Sequence, residues 1–212
     1  MIRYLTWCTA LTVLLMLANS GVQARDDVAG NFDYYLLSLS WSPQFCAETR
    51  RDDEPQCQRA YAFVVHGLWP QYERGFPSRC SNNQRVTETT INRVLPIMPS
   101  RGLVLHEWQA HGSCSGASPE GYFSTVEQAY RHIEIPQPYR SVGDYRRITA
   151  AQIKHDFIAA NPKLTTGDMV LQCRGPYLQE VRVCLDRKLE PRACGADVRD
   201  RCGGTVVLRP QR

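Results

Sequence analysis

The chain is organised around residues 106–114, His-Glu-Trp-Gln-Ala-His-Gly-Ser-Cys, which carry two imidazoles and a carboxylate within six positions. On a helix, with about 100° between successive residues, His106, Glu107 and His111 lie within an arc of about 140° and share one face. A third histidine, His66, lies upstream in residues 63–70, Phe-Val-Val-His-Gly-Leu-Trp-Pro. The function of the chain depends on whether these two segments meet.

Residues 1–24 have the pattern of a secretory signal peptide. Arg3 provides a basic start, residues 11–17 form a short apolar run, and residues 22–24 fit a cleavage site with small residues. The apolar run is too short to span a bilayer, which argues against a membrane anchor. We therefore expect an exported protein, periplasmic or secreted, in which residues 25–212 form a single catalytic domain.

The charge of the chain is mildly basic. Removal of Arg3 with the signal peptide lowers the 25 basic residues to 24, against 21 acidic ones, so the net charge falls from +4 to +3. This excess suits an anionic ligand but is far below that of proteins that package nucleic acid. Only three basic residues are lysines, and arginine is the side chain that can bind phosphate through two parallel hydrogen bonds.

Eight cysteines follow the predicted signal peptide, and an even number in an exported chain predicts four disulfides. They are Cys46, Cys57, Cys80, Cys114, Cys173, Cys184, Cys194 and Cys202. No pair has the two-residue spacing of structural zinc sites, which argues against zinc. Spacing alone leaves all 105 pairings of eight cysteines open.

The periodicity of apolar residues predicts strands near both ends of the chain and helices in the middle. The predicted strands are residues 32–41, 60–65, 169–173, 177–185 and 205–208, and the predicted loops are residues 46–58 and 71–86. Helices are predicted after the caps Thr87, Ser118 and Thr149, and from about Leu105 to His111. This order predicts an α+β fold with a central, largely antiparallel sheet flanked by helices.

Two alternative chemistries fit the histidines poorly. Zinc proteases place two histidines four residues apart, whereas His106 and His111 are five apart, which rotates the second imidazole by about a further 100°. A nucleophilic serine or cysteine needs an adjacent base. Ser113 has no surrounding G-x-S-x-G motif, and Cys114 is better explained as half of a disulfide.

General acid–base catalysis on an RNA phosphodiester fits these residues better. RNA carries its own nucleophile, the 2′-hydroxyl, so the enzyme must remove one proton, donate another and stabilise the phosphorane between these steps. A neutral and a protonated histidine suit the two proton transfers. A cationic group suits the phosphate, and neither a metal nor another cofactor is required.

Residues 63–70 and 106–114 resemble, in this order, the two active-site segments of the ribonuclease T2 family. The resemblance implies a disulfide-stapled ribonuclease T2-like fold, and it covers the chain from about Asp33 to Val207. It also implies an endonuclease that cleaves single-stranded RNA through a 2′,3′-cyclic phosphate to 3′-phosphate ends, without a metal. We expect a monomer whose partner is its RNA substrate.

The resemblance also implies residue roles. His66 and His111 are the acid–base pair, with His111 taking the 2′-hydroxyl proton and His66 protonating the leaving oxygen. His106 and Glu107 stabilise the phosphorane. Three further residues, Trp69, Gln71 and Phe76, are expected to bind the bases, with the two aromatic rings available for stacking. His132 and His155 lie outside both segments, and we expect no catalytic role for them.

Ala110 departs from the family pattern, which usually has lysine at this position. Removal of a donor aimed at developing charge costs about 2.7–4 kcal/mol in other enzymes. We therefore expect a slower enzyme unless a nearby arginine compensates. The alternative is an RNA-binding or toxin-like relative with weakened or lost catalysis.

The family further suggests one set of disulfides. These are Cys46–Cys57, Cys80–Cys114, Cys173–Cys202 and Cys184–Cys194. The second of them would tie the loop after the first active-site segment to the end of the second segment.

Overall fold

The computed structural model describes residues 27–49, 54–80 and 83–211, and within them five α-helices and six strands. The strands are β1 (Tyr34–Trp41), β2 (Phe63–Gln71), β3 (Arg146–Thr149), β4 (Met169–Arg174), β5 (Tyr177–Leu185) and β6 (Thr205–Leu208). The helices are α1 (Ser42–Glu48), α2 (Glu88–Val94), α3 (Arg101–Ala110), α4 (Pro119–His132) and α5 (Ala150–Ala160). The predicted signal peptide, residues 1–24, lies outside the described residues.

The six strands form one sheet in the order β2-β1-β5-β6-β3, with β4 also paired to β5. The pairs β1–β2, β1–β5, β4–β5 and β3–β6 are antiparallel, and β5 meets β6 through a single parallel pair. The prediction of an α+β fold with a largely antiparallel sheet is therefore confirmed. β1 and β5 lie inside the sheet, and most of their residues are buried.

The two faces of the sheet differ. One large hydrophobic cluster joins one face to the helices and includes Leu37, Val65, Trp108, Phe123 and Phe157. The opposite face carries a much smaller apolar cluster, in which Leu36 packs near the partly buried Trp69. Helices α2 to α5 therefore cover one face of the central strands, and part of the other face is free for polar side chains.

Three helices begin at the predicted caps. The side chains of Thr87, Ser118 and Thr149 each accept a hydrogen bond from the backbone N–H three residues further on. Such caps satisfy donors that the first turn of a helix leaves unpaired. The predicted starts of α2, α4 and α5 are confirmed.

Four local predictions were wrong. Strand β2 runs from Phe63 to Gln71 rather than over residues 60–65. Helix α1 begins directly after β1, with Pro43 in its first turn, and it includes the start of the predicted loop 46–58. Strand β3 was not predicted. Helix α3 begins at Arg101 rather than near Leu105, and it ends before His111. Pro43 was interpreted only as the end of a strand, although proline also fits the first turn of a helix.

Four disulfides link elements of the fold, and they are the same four pairs that the family resemblance implies. They are Cys46–Cys57, Cys80–Cys114, Cys173–Cys202 and Cys184–Cys194. The Cys80–Cys114 bond joins the segment after β2 to the segment after α3. Among the described residues, no helix is long and apolar enough to cross a membrane.

Candidate active site

His66 is the extra residue of a β-bulge in β2. The ladder to β1 passes directly from Gly67 to Val65, so His66 has no partner in that ladder. The bulge places both Val65 and Leu68 in the hydrophobic core, although their three-residue spacing would put them on opposite faces of a regular strand. The side chain of His66 therefore lies outside the hydrophobic core and is 36% exposed.

Two carboxylates flank the imidazole of His66. Its Nδ1 donates a hydrogen bond to Oε1 of Glu180 over 2.6 Å, and its Nε2 lies 3.6 Å from Oε1 of Glu107. Burial opposes protonation of this ring, but the hydrogen bond and charge of Glu180, together with the charge of Glu107, outweigh that effect. The pKa of His66 is consequently raised above its usual 6.5, which favours the imidazolium.

Glu107 is almost completely enclosed. Its side chain is 1% exposed, and its Oε2 accepts a 2.7 Å hydrogen bond from the indole N–H of Trp69. Burial raises the pKa of this carboxyl to about 7, although the His66 charge and the Trp69 hydrogen bond both oppose the rise. Glu107 can therefore exchange a proton near neutral pH.

The close contact between α3 and β2 depends on Gly67. A Cβ atom at this position would lie 2.9 Å from the Cδ atom of Glu107 and still closer to the two atoms that form the Trp69–Glu107 hydrogen bond. Glycine is therefore required here by the close approach of Glu107 and Trp69.

His111 lies just beyond the end of α3, where its backbone has left the helical conformation (φ −130°, ψ −50°). Its N–H still donates to the carbonyl of Glu107, which completes the last turn. The imidazole lies beside two aromatic rings, with its centroid 5.2 Å from that of Trp69 and 6.2 Å from that of Phe76. Among the described residues, no hydrogen-bond partner faces its buried Nδ1.

The surroundings of His111 disfavour its charged form. Burial is the main cause, and the positive charges of His66, His106 and Arg79 act in the same direction. Together they lower the pKa of His111 to about 4. The two histidines therefore differ, because the surroundings of His66 favour its protonated form and those of His111 favour its neutral form.

His106 is exposed on α3 and, together with His66, lines a cleft of about 810 Å³. The cleft also contains side chains of β4 and β5, including Gln172, Gln179 and Arg182. It is therefore a polar groove beside the histidines, with both hydrogen-bonding and cationic groups on its walls.

The three predicted base-binding residues lie in different environments. Trp69 is half-buried beside both His66 and His111, and Phe76 is 55% exposed. Gln71 is only 4% exposed, and its amide donates to the carbonyl of Pro70. The two rings can present faces to a ligand, whereas Gln71 presents little surface in this conformation.

Ala110 is the last residue of α3, and it is buried. Two arginines lie near this part of the site. The backbone N–H of Arg79 donates to the carbonyl of Ala110 over 2.9 Å, and the guanidinium of Arg182 lies over the ring of Trp69, 4.9 Å from its centroid. The charge of Arg79 acts on His111, whereas the guanidinium of Arg182 is paired with Glu180.

No metal centre is indicated among residues 27–49, 54–80 and 83–211, since no group of three or more histidine, cysteine, aspartate or glutamate side chains there is arranged to hold a metal ion. His132 and His155 lie on α4 and α5, and neither lines the cleft beside His66.

The sequence profile of the Ribonuclease T2 family matches residues 32–194. The matched region contains the bulge of β2, the whole of α3 and both histidine segments, residues 63–70 and 106–114. The chain belongs to the ribonuclease T2 family.

Several curated ribonucleases are similar to this family member. A ribonuclease of Aeromonas hydrophila is 43% identical over 118 residues, which cover 56% of this chain and 54% of the relative. A probable ribonuclease of Haemophilus influenzae is 34% identical over 140 residues, covering 56% and 52%. Ribonuclease I of Escherichia coli is 25% identical over 205 residues, covering 74% and 76%. The chain thus spans about half the length of the first two relatives.

Solved structures support the ribonuclease T2 fold. An RNase-related protein from Calystegia sepium has a TM-score of 0.69 at 22% identity, covering 85% of this chain and 98% of that protein. Ribonuclease MC1 from bitter gourd seeds has a TM-score of 0.67 at 24% identity, covering 82% and 99%.

Sequence reasoning missed two site residues of this ribonuclease T2 family member, Glu180 and Arg182. A signal was present, because the two charged residues alternate with Val181 and Val183 in β5 and therefore share one face of a mainly apolar strand. Nothing in the sequence showed that this face meets His66, since β1 lies between β2 and β5 in the sheet.

Proposed function

We propose that the protein is an endoribonuclease that cleaves single-stranded RNA without a metal. The products are a 2′,3′-cyclic phosphate and then a 3′-phosphate end. The observation that carries the proposal is the pair of histidines with opposite environments, His66 beside two carboxylates and His111 beside aromatic rings and cations. Family membership and curated relatives named as ribonucleases support the same activity.

The opposite environments support an assignment of roles. His111, with its pKa lowered to about 4, is neutral and can accept the proton of the 2′-hydroxyl. His66, with its pKa raised, can donate a proton to the departing 5′-oxygen. In the second step these roles reverse. His66 takes a proton from the water molecule that opens the cyclic phosphate, and His111 returns its proton to the 2′-oxygen.

The phosphorane is stabilised by the remaining polar groups. His106 lies exposed at the same cleft as His66, which supports a role in contacting a phosphate oxygen. Glu107 is enclosed, but its Oε1 lies 3.6 Å from Nε2 of His66, so it supports the phosphorane by favouring a protonated imidazole beside it. Preorganised donors of this kind stabilise charge that develops in a transition state.

The substrate class follows from the surface beside the histidines. The exposed ring of Phe76 and the half-buried ring of Trp69 offer faces on which unpaired bases can stack. The polar cleft of about 810 Å³ on the side of His106 can take the adjoining nucleotide. Stacking requires bases that are free of a duplex, which favours single-stranded RNA.

The chain contains four disulfides, and disulfides persist in oxidising compartments. We therefore propose export to the periplasm or the medium. The curated relatives include proteins from several bacteria. A monomer suffices for the proposed reaction, because all of its residues come from one chain.

The test is cleavage of single-stranded RNA in the presence of EDTA, with identification of the product ends. We expect cyclic phosphate to form first and 3′-phosphate to follow. His66→Ala and His111→Ala should each abolish cleavage, whereas His155→Ala, which removes a histidine with a 75% exposed side chain on α5, should not. Full activity of either active-site variant, or complete inhibition by EDTA, would overturn the proposal.

Ala110 supports one alternative, a relative that binds RNA but has weakened or lost catalysis. The buried methyl group offers no charge where the family usually has lysine. The two functions differ in one result, since a binding protein would retain RNA without producing cyclic phosphate.

A further inference from the structure

Glu180 reaches His66 across an intervening strand. In the sheet, β1 separates β2 from β5, and Ser40 of β1 pairs with both Val64 of β2 and Glu180 of β5. Serine is small, so side chains from the two outer strands can meet above it. The result is the 2.6 Å hydrogen bond from Nδ1 of His66 to Oε1 of Glu180.

The carboxylate of Glu180 is itself held from two directions. Its strand has β1 on one side and β4 on the other, where Glu180 is paired with Gln172. Its second oxygen, Oε2, accepts hydrogen bonds from two nitrogens of Arg182, Nε at 2.7 Å and Nη2 at 2.6 Å. A group fixed by backbone pairing and by a second side chain can orient its partner closely.

We propose that Glu180 is a positioning residue, which fixes the ring of His66 with Nδ1–H toward the sheet and leaves Nε2 to exchange protons with the substrate. This inference rests on the proposed ribonuclease function. The geometry determines which nitrogen reacts, because the one bonded to Glu180 cannot also reach a leaving oxygen.

The other charged groups around His66 do not replace Glu180. Glu107 faces Nε2 at 3.6 Å, but its own pKa is raised to about 7, so it is only partly ionised at neutral pH. The charge of Arg182 opposes a positive charge on the ring. His111, with its pKa lowered to about 4, is neutral. Burial alone would raise the pKa of Glu180, but His66 and Arg182 lower it to about 2, so this carboxylate stays charged throughout the working range.

The experiment compares the intact protein with Glu180→Gln, an isosteric change that removes the charge. The measurements are kcat and KM for a short single-stranded RNA with EDTA across pH, and the titration of the His66 imidazole by NMR. We expect the loss of activity at high pH to begin at lower pH in the variant. Its kcat/KM should fall roughly tenfold or more near pH 8 and less near pH 5, through kcat rather than KM.

Two further variants separate positioning from a general effect of charge or stability. Glu190→Gln removes a carboxylate whose partner is Lys163 on the surface, and its pH profile should match that of the unchanged protein. Glu180→Asp keeps the charge but shortens the side chain, so its pH profile should move less than that of Glu180→Gln while its kcat still falls, because the 2.6 Å hydrogen bond to His66 cannot form in the same place. If Glu180→Gln does not fold, the Asp variant decides, because an unchanged kcat in that variant would overturn the inference.

The outcomes also separate this inference from the proposed function. If the unchanged protein forms no cyclic phosphate, the proposed function fails, while the NMR titration still tests the hold of Glu180 on His66. If the unchanged protein is active and folded Glu180→Gln has the same pH profile, the same kcat and the same His66 titration, the inference fails alone. An equal loss of activity at every pH, with a lower unfolding midpoint, would show a structural role and would also overturn it.

Discussion

The substitution Gly67→Ala tests how closely the carboxyl group of Glu107 is held. The added Cβ would lie 2.9 Å from Cδ of Glu107 and closer still to the oxygen of Glu107 and the nitrogen of Trp69 that share a hydrogen bond. Neither partner can move freely, because Glu107 is 1% exposed and belongs to a helix. The methyl group must therefore force α3 away from β2 or break the hydrogen bond.

The magnitude follows from two overlapping costs. Overpacking of a close contact costs about 1–3 kcal/mol, and a buried polar group left without its hydrogen bond costs about 1–3 kcal/mol. We expect the free energy of unfolding to fall by about 2–4 kcal/mol once this overlap is considered. A shift of Glu107 by about 1 Å should also lower kcat by about 100-fold, because proton transfer and charge stabilisation depend on its position.

The assay combines urea unfolding with RNA cleavage, and the chain offers a matched control. Gly143→Ala makes the same chemical change at an exposed position where a Cβ would meet nothing within 4 Å. We expect it to change stability by less than about 0.5 kcal/mol and to leave activity unchanged. Equal stability and kcat in the two variants would refute the reasoning, because it would show that Gly67 is not needed for the contact.

Three further predictions follow from the site. The value of kcat/KM should rise through about pH 4 as His111 loses its proton. It should fall again above the usual histidine pKa of 6.5, as His66 loses its proton. A profile without this fall at high pH would contradict the role of His66 as the acid. Ala110→Lys should raise kcat by up to about 100-fold. Ala110→Met, which adds a side chain of similar length without charge, should not raise it. No gain from lysine would show that the missing cation does not limit the rate. Replacement of Cys80 and Cys114 by serine should lower the free energy of unfolding by about 4 kcal/mol, and replacement of Cys46 and Cys57 by about 3 kcal/mol. The first bond stabilises more because its cysteines are 34 residues apart in the chain, against 11 for the second. Urea unfolding midpoints check both values, and the reverse order would contradict the loop argument.

Much of the fold could be predicted from local patterns. The apolar runs gave the positions of β1, β4, β5 and β6, and the caps of α2, α4 and α5 were recognisable because a serine or threonine precedes each helix. Both signals depend on neighbours in the sequence. They remain readable without any knowledge of the tertiary structure.

The missed elements have physical reasons. Strand β3 covers only four residues, and its pairing with β6 supplies what its own sequence does not indicate. Strand β2 continues beyond the predicted end at Val65 to Gln71, and it accommodates Pro70 because it lies at the edge of the sheet. In both cases the partner strand, rather than local preference, decides the conformation.

The site itself was only partly predictable. The segments carrying His66, His106 and Glu107 could be selected from residue type and family resemblance. The helical arc, however, does not describe His111, since the helix ends at Ala110 and His111 has a non-helical backbone. The hydrogen bond between His66 and Glu180 depends on strand order and on a bulge, and neither is encoded by spacing along the chain.

In the proposed reaction, the division of labour between the two histidines follows from where the fold places them. His66 leaves the sheet at a bulge and meets carboxylates from β5 and α3, so its cationic form is stabilised. His111 follows the end of α3, where it lies beside Trp69 and Phe76 without a carboxylate among its principal charge partners, so its neutral form is stabilised. Exchange of the two roles would require a carboxylate to move from one ring to the other. The assignment of His66 as acid in the first step therefore depends on the sheet.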